Sequence, residues 1–141
     1  MQEKTTGDLM RELESGTDLM DYLCCNSGSL LEPDVAVRLG ELRQRRRIPK
    51  AVLAKRARIS EVYLHQVFAG RRKPSRNRLL CICIALEASL EEVQELLKQS
   101  SYAPLYPRLK RDAVIIHGLA HGAELDEVNN RLQEAGEEPL A

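Results

Sequence analysis

KAVLAKRARISEVYLHQVFAGRRKPS, residues 50–75, contains two short apolar-periodic segments joined by a tight turn. In the second segment, Leu64, Val67 and Phe68 recur at i, i+3 and i+4, which is the spacing of one helix face. The pattern predicts a helix over residues 60–69 whose apolar face packs inward. The remaining residues of that helix lie on its other face, which is left free to touch another molecule.

This helix is predicted to end sharply and to open into a positively charged loop. Ser60 is a favourable N-cap, Gly70 is a favourable C′ residue, and Pro74 prevents the helix from resuming at once. The residues between the glycine and the proline are the cations Arg71, Arg72 and Lys73. Cations in a loop at a helix end are well placed to hold phosphate groups.

The charges of the chain are segregated even though their sum is zero. Residues 1–37 carry two Lys/Arg and eight Asp/Glu, a net charge of −6. Residues 38–78 carry fourteen and two, a net charge of +12, and residues 79–141 carry five and eleven, a net charge of −6. A stretch of +12 produces a positive surface in any fold, which favours a polyanionic partner over a merely solvated face.

Helical periodicity extends along nearly the whole chain, and no segment shows a convincing strand alternation. The fold class is therefore predicted to be all-α. Three parts are predicted: an acidic N-terminal helical extension (1–34, with a linker at 25–34), a five-helix domain (35–98), and a connector plus a C-terminal helical hairpin (99–141).

The same patterns predict helix starts and inward residues. Thr17 is predicted to cap the second helix of the extension, and Pro49 to occupy the first position of helix KAVLAKRA. In that helix Ala51, Leu53 and Ala54 are predicted to face inward. The C-terminal hairpin is predicted to pack one set of apolar residues against another: Ala113, Ile116 and Ala120 against Leu125, Val128 and Leu132.

Residues 100–110, SSYAPLYPRLK, predict an extended connector that straps across the bundle, because two prolines interrupt helical periodicity. Its two tyrosines are expected to pack on the bundle rather than to stack on bases. No apolar stretch reaches the length of about 18 residues that a membrane span needs, and the N-terminus lacks a hydrophobic leader. The sequence thus predicts a cytoplasmic protein with no membrane partner.

Metal, redox and catalytic patterns are weak. The cysteines occur as Cys24-Cys25 and Cys81-x-Cys83, without the CxxC spacing of structural zinc sites, and are expected to behave as free thiols. The pair His117 and His121 lies one turn apart with no third ligand evident, which favours an exposed pair over a metal site. No Gly-rich phosphate loop, HExxH or GxSxG motif occurs, so we expect no enzymatic activity, no cofactor and no metal.

A resemblance to a known family is carried by three stretches of residues 35–98. They are LAKRA before the tight turn, YLHQVFAGRRKPS after it, and ALEASLEEVQELL at the close. Together they resemble the five-helix domain of phage-repressor-type regulators, the XRE and Cro family. The resemblance implies a helix-turn-helix in which helix 60–69 lies in the major groove of double-stranded DNA.

Two sets of contact residues follow from the resemblance. The early solvent-facing residues of the recognition helix would contact bases: Glu61, Val62, His65 and Gln66. His65 can equally be a plain surface residue, and the base that each residue meets is open. Phosphates would be contacted by flanking residues: Arg43, Lys50, Ser60, Arg71, Arg72 and Lys73.

The sequence departs from the family pattern at three positions. Two turns that usually carry glycine carry Arg47 and Arg58, and a left-handed backbone at a non-glycine residue costs roughly 1 kcal/mol. The shape of these turns is therefore open. Family members often pair an arginine on the first helix with a glutamate near the end of the recognition helix. Here the arginine is Arg43 but its partner position holds Phe68, which leaves Arg43 available for phosphate.

The resemblance implies a sequence-specific transcriptional regulator of bacterial or phage type, a repressor that acts by occupying an operator. One recognition helix contacts few base pairs, so useful specificity suggests a homodimer on a pseudopalindrome. A rival hypothesis is a protein-interaction adaptor that keeps the helix-turn-helix fold. Its protein partner would bind the acidic N-terminal helices or the C-terminal helices.

Overall fold

The computed structural model describes residues 4–26 and 35–140, and all regular structure in these residues is helical. The predicted all-α class is confirmed. None of the described helices is long and apolar enough to cross a membrane. In chain order the helices are α1 (Thr6–Glu14), α2 (Leu19–Cys25), α3 (Val35–Arg46), α4 (Lys50–Ala57), α5 (Glu61–Phe68), α6 (Arg76–Ala85), α7 (Leu90–Gln99), α8 (Lys110–Ala120) and α9 (Leu125–Glu134).

Contacts between residues divide the chain into two compact units, Met1–Glu32 and Pro33–Ala141. The first unit contains α1 and α2. The start of α1 is held by a reciprocal cap, in which the Thr5 hydroxyl accepts from the Asp8 amide (3.1 Å) and the Asp8 carboxylate accepts from the Thr5 amide (3.0 Å). The linker predicted at residues 25–34 lies, from residue 27 onward, outside the described residues.

The cap of α2 is Asp18, so the prediction of Thr17 is wrong by one residue. The Asp18 carboxylate accepts from the amides of Met20 (3.0 Å) and Asp21 (3.2 Å). Thr17 instead places its hydroxyl 3.1 Å from the Ser15 hydroxyl. The carboxylate is the stronger cap because it satisfies two free amides at the positive end of the helix.

Helix α6 lies at the centre of the second unit, and its residues from Leu79 to Ala85 are all buried. It contacts α4, α7 and α9. Helices that are apolar on every side are expected in the interior, which explains this position. Leucines of neighbouring helices complete the core with at most 2% of their surface exposed: Leu39, Leu42, Leu53, Leu64, Leu96 and Leu97.

The inward face of α4 differs from the prediction. Leu53 and Ala54 are buried as predicted, but Ala51 is exposed and Ala57 is buried in its place. The spacing explains the correction, because Ala57 lies one turn beyond Leu53 whereas Ala51 lies on the opposite side of the helix. Pro49 is the N-cap rather than the first helical residue.

Both turns that lack the family's usual glycine have a left-handed residue. Arg47 has φ of 55° and Arg58 has φ of 56°. Arg58 also forms an ion pair with Asp126 at the start of α9. The chain therefore keeps left-handed turns at both positions and carries the small strain of a side chain there.

The connector after α7 packs along the bundle, which confirms the predicted strap. Leu105 is buried, and its amide and carbonyl are both hydrogen-bonded to the side chain of Gln94 (2.7 and 2.9 Å). The Tyr102 hydroxyl donates to the carbonyl of Pro74 (2.6 Å). The second tyrosine, Tyr106, differs from the prediction because it is 51% exposed.

The C-terminal hairpin shares one core with α3–α7, because its buried residues join the same apolar cluster. The residues predicted for α9, namely Leu125, Val128 and Leu132, are buried. The prediction for α8 is only partly correct: its buried positions are Asp112, Ile115 and Gly118, Ile116 is partly buried against the core, and Ala120 is exposed. The buried positions are displaced by one or two residues from the predicted ones, so the helix face that carries Gly118 is the one that packs inward.

Gly118 allows α8 and α9 to approach closely. A Cβ at Gly118 would lie 2.6 Å from Cγ2 of Val128, whereas a Cβ at Gly40 on α3 would meet nothing within 4 Å. We expect Gly118→Ala to lower the free energy of unfolding by about 1 kcal/mol, since overpacking outweighs the gain in helix propensity. Gly40→Ala is the control and should raise the free energy of unfolding by about 0.5–1 kcal/mol. Urea unfolding of both variants measures this, and equal effects would contradict the close approach.

Candidate nucleic-acid interface

Helix α5 presents one buried and one exposed face. The Ser60 hydroxyl caps the helix by accepting from the Tyr63 amide (3.0 Å), and Gly70, with φ of 74°, follows its last turn. The buried face is Tyr63, Leu64 and Val67. The residues predicted to contact bases are on the other side: Glu61, Val62 and His65 are exposed, and Gln66 is partly exposed.

Val62 is the most solvent-exposed large apolar residue of the second unit's described part, at 68%. An exposed valine on the outer face of a helix contributes nothing to the core. It gives that face an apolar contact point between the carboxylate of Glu61 and the amide of Gln66. The exposed face thus combines an acceptor group, an apolar group and a side-chain amide within two helical turns.

The basic loop that follows α5 is exposed at all three cations, Arg71, Arg72 and Lys73. Its backbone is fixed to the end of α5 by a hydrogen bond from the Arg71 amide to the Gln66 carbonyl (2.9 Å). Arg72 donates to the Gln66 side-chain oxygen at 3.4 Å, and Lys73 lies 4.7 Å from the centre of the Tyr102 ring. The loop therefore holds its cations beside the exposed face of α5.

A further cation, Arg78 in the first turns of α6, joins this group and is not predicted from the sequence. Its guanidinium lies 4.4 Å from the centre of the Tyr63 ring, and that of Arg72 lies 4.8 Å from the same ring. Tyr63 itself is 7% exposed, so it packs in the core. Capping of α6 by Ser75 places Arg78 in the opening turn, which is the pattern that could have identified it.

Lys50 and Arg43 lie on the opposite edge of α5, where both approach Phe68. The Lys50 ammonium is 5.9 Å and the Arg43 guanidinium 5.8 Å from the centre of that ring. Arg43 is partly buried and donates to the carbonyl of Ile48 (3.2 Å), while its Nε is buried without a hydrogen-bond partner. Arg43 thus fastens the α3–α4 turn, and its contact with phosphate stays a prediction.

Ion pairs neutralise some cations of the +12 segment and not others. Four of them are paired with carboxylates from residues 79–141: Arg38–Glu95, Arg46–Glu92, Arg58–Asp126 and Arg76–Asp112. The cations around α5 form no ion pair with any carboxylate of residues 4–26 or 35–140: Lys50, Arg71, Arg72, Lys73 and Arg78. The acidic C-terminal segment therefore neutralises four arginines of the +12 segment, and none of these four belongs to the group beside α5. Cations elsewhere in the segment likewise form no ion pair with the described carboxylates: Arg45, Arg47, Lys55 and Arg56.

The remaining candidate groups lie apart from this surface. His117 and His121 are exposed, with ring centres 4.2 Å apart. Within the described part of the chain, no group of three His, Cys, Asp or Glu side chains could hold a metal ion. Burial raises the thiol pKa of Cys81 to about 11 and that of Cys83 to about 12, whereas Cys24 and Cys25 are exposed. Cys81 and Cys83 are thus protonated apolar residues at neutral pH.

Comparison with known families gives a match over residues 34–96 to a family model described as a helix-turn-helix domain. The matched residues include α3–α6 and most of α7. No match was found among curated proteins or among solved structures. The match covers the exposed helix, the basic loop and Arg78, but it does not extend to α1, α2, α8 or α9.

Proposed function

From the helix-turn-helix match over residues 34–96 we propose that the chain is a sequence-specific regulator of transcription of the XRE/Cro-like type. In this proposal α5 enters the major groove of double-stranded DNA. The chain acts by occupying an operator, which makes it a repressor, and it acts by binding rather than by catalysis.

The observation that carries the proposal is the exposed face of α5 with cations on both of its edges that pair with no carboxylate in the described part of the chain. Lys50 lies on one edge, and Arg71, Arg72, Lys73 and Arg78 lie on the other. A groove-sized helix must have the two phosphate backbones beside it, so cations are needed on both sides. The ion-pair pattern keeps positive charge at these places.

The exposed side chains of α5 fit contacts with base edges. The Gln66 amide can form two hydrogen bonds with adenine, and the Glu61 carboxylate can accept from a cytosine amino group. The methyl groups of Val62 suit contact with a thymine methyl. His65 either forms a hydrogen bond with a base or is a plain surface residue beside the base-contacting ones. In the free protein Arg72 steadies Gln66 through their hydrogen bond.

The flanking groups would supply most of the affinity. Lys50, Arg71, Arg72, Lys73 and Arg78 can pair with phosphates, and each neutralised phosphate releases counterions from the duplex. Ser60 accepts a hydrogen bond from the Tyr63 amide, which leaves its hydroxyl proton free to donate to a phosphate. Binding should therefore weaken steeply as the salt concentration rises.

Two copies are needed for useful specificity, because one α5 spans only a handful of base pairs. We therefore propose a homodimer on a pseudopalindromic site. The two half-sites would be spaced about one helical turn apart, which is about 10–10.5 base pairs.

The second candidate function is a protein-interaction adaptor that retains the fold. It is favoured by exposed apolar residues outside the family match, among them Met20 at 70% and Leu109 at 54%. An adaptor would bind DNA weakly and without regard to sequence. A regulator would prefer one site by about 1,000-fold or more over random DNA.

Selection of bound fragments from random duplexes, followed by footprinting of the enriched site, tests the proposal. We expect one enriched motif with two-fold symmetry, protected from cleavage over both half-sites. If repeated rounds enrich no motif and protection is uniform along the duplex, the adaptor hypothesis replaces the proposal.

A further inference from the structure

The unit formed by α1 and α2 exposes an apolar surface that its own fold leaves uncovered. Two residues of this surface lie on α1, namely Met10 (52% exposed) and Leu13 (49%). Three lie on α2: Leu19 (60%), Met20 (70%) and Leu23 (39%). We call these five residues the hairpin patch. Among the apolar residues of this unit that the structure describes, Tyr22 is the buried one.

Polar contacts fix the hairpin in the conformation that displays the patch. Lys4 donates to the Asn26 side-chain oxygen (2.8 Å), Asn26 donates to the Glu12 carboxylate (2.8 Å), and Lys4 forms an ion pair with Glu12. The hydrogen bond from Lys4 is the largest cause that lowers the pKa of Glu12, so this carboxylate stays charged well below neutral pH. These contacts join Lys4, just before α1, to Glu12 near the end of α1 and to Asn26 at the end of α2.

Fewer than about 40 residues rarely bury enough apolar surface to fold unaided, and oligomerisation is one of the usual remedies. The described hairpin, residues 4–26, has one buried aromatic ring and five exposed Leu and Met side chains. Its helices are well capped but lack a core of their own. The missing core must come from a second surface.

We propose that this second surface is the hairpin patch of another copy of the chain, so that two hairpins form an antiparallel four-helix bundle. The inference rests on the proposed function for its biological purpose, because a regulator on a pseudopalindrome needs two copies. A patch with apolar residues on both α1 and α2 is self-complementary under a two-fold axis. The bundle would join the two copies through residues outside α3–α9.

The area of the patch suits such a dimer. Five side chains at the measured exposures would remove on the order of 1,000 Å² from water when two copies pair, near the lower limit for specific interfaces. A second pair of exposed apolar residues, Tyr106 and Leu109, lies next to the cations Arg108 and Lys110. As a dimer interface this pair is therefore smaller than the hairpin patch and has more positive charge beside it.

The charge of the hairpin distinguishes a second copy from a basic partner. Residues 4–26 contain two Lys/Arg and five Asp/Glu, a net charge of −3. Two like-charged hairpins repel each other, so screening by salt should leave their association unchanged or strengthen it. A basic protein partner would instead be released by salt, as would DNA. Dimerisation and DNA binding should thus respond to salt in different directions.

The test is sedimentation velocity of the full chain, without DNA, at increasing protein concentration and at about 50 and about 500 mM NaCl. The unmodified chain should be a dimer that persists at high salt. Met20→Glu should raise the dimer dissociation constant at least about 100-fold, because an unpaired carboxylate would enter an apolar interface. Leu109→Glu is the matched control and should remain dimeric. Circular dichroism of both variants checks that helical content is retained.

A monomeric unmodified chain, or a dimer broken by Leu109→Glu and not by Met20→Glu, would overturn the inference. Loss of the dimer at high salt would overturn it in favour of an electrostatic contact. None of these outcomes bears on whether α5 binds DNA. Met20→Glu should still bind a duplex with one half-site like the unmodified chain, and should lose affinity only for the full site.

Native cysteines provide an independent measurement. Cys24 and Cys25 are exposed on α2 beside Leu23, whereas burial keeps the thiols of Cys81 and Cys83 unreactive at neutral pH. In a Cys25→Ser variant, a short bismaleimide should link Cys24 of two copies into a covalent dimer. The same reagent should give no such product when Met20→Glu is added. Equal yields with and without Met20→Glu would place the contact elsewhere.

Discussion

Reversing Arg71 and Arg72 to glutamate is expected to weaken binding to every DNA duplex by about 100-fold or more at moderate salt. Both side chains are exposed, both lie in the loop fixed to the end of α5, and neither is paired with a carboxylate in the described part of the chain. Their loss removes two phosphate contacts and adds repulsion. The effect should be the same for specific and random sequences, since phosphates carry no sequence information.

The salt dependence gives the sharper readout for this variant. Each lost phosphate contact should reduce the slope of log affinity against log salt by about 0.9, so the double variant should lose about 2 units of slope. Lys98→Glu combined with Arg131→Glu is the control, because it changes the net charge equally through residues of α7 and α9. That control should keep the slope. An unchanged slope in the Arg71 and Arg72 variant would refute the phosphate role of the loop.

Gln66→Ala is expected to change which sequences are bound more than how strongly DNA is bound overall. A good bidentate contact with adenine contributes about 1–3 kcal/mol of discrimination, so affinity for the selected site should fall about 10–100-fold. Affinity for random DNA should change little. The variant also loses the hydrogen bond that Gln66 accepts from Arg72, which frees that guanidinium for phosphate and works against a general loss.

Repeating the fragment selection with Gln66→Ala measures this directly. One position in each half-site should lose its preferred base while the others keep theirs. Lys55→Ala, an exposed change on α4 away from the α5 face, is the control and should leave the motif intact. If Gln66→Ala weakens all sequences equally, Gln66 contributes to affinity without contacting a base.

Much of the fold follows from local patterns in the sequence. Apolar spacing of 3.6 residues locates the buried positions Leu64 and Val67 of α5, and Ser60 caps the helix that it is predicted to start. These features depend on residues within one or two turns of each other. Local rules therefore suffice for them.

The wrong predictions arise where competing local choices are nearly equal. Thr17 and Asp18 are adjacent cap candidates, and the carboxylate prevails because it bonds two amides. In α4 the spacing of one turn from Leu53 favours Ala57, whereas Ala51 fits only the spacing to Ala54. In α8 the inward face carries Gly118, which has no side chain and so lets Val128 of α9 approach closely. That approach depends on another helix.

The candidate site is partly predictable for the same reason. The exposed face of α5 and the basic loop follow from the helix pattern. The place of Arg78 beside Tyr63 and the bond that engages Arg43 at the α3–α4 turn are tertiary contacts, which spacing does not show. The pairing of four arginines with C-terminal carboxylates is likewise not visible in a segment charge of +12.

The most direct test of the central claim, that α5 lies in the major groove, is NMR of the chain bound to its selected duplex. We expect intermolecular contacts between the Val62 methyl groups and base protons of the major groove, and amide shift changes concentrated over residues 58–78. Contacts confined to α8, α9 or the N-terminal hairpin, with the signals of Glu61 to Gln66 unchanged on binding, would contradict it.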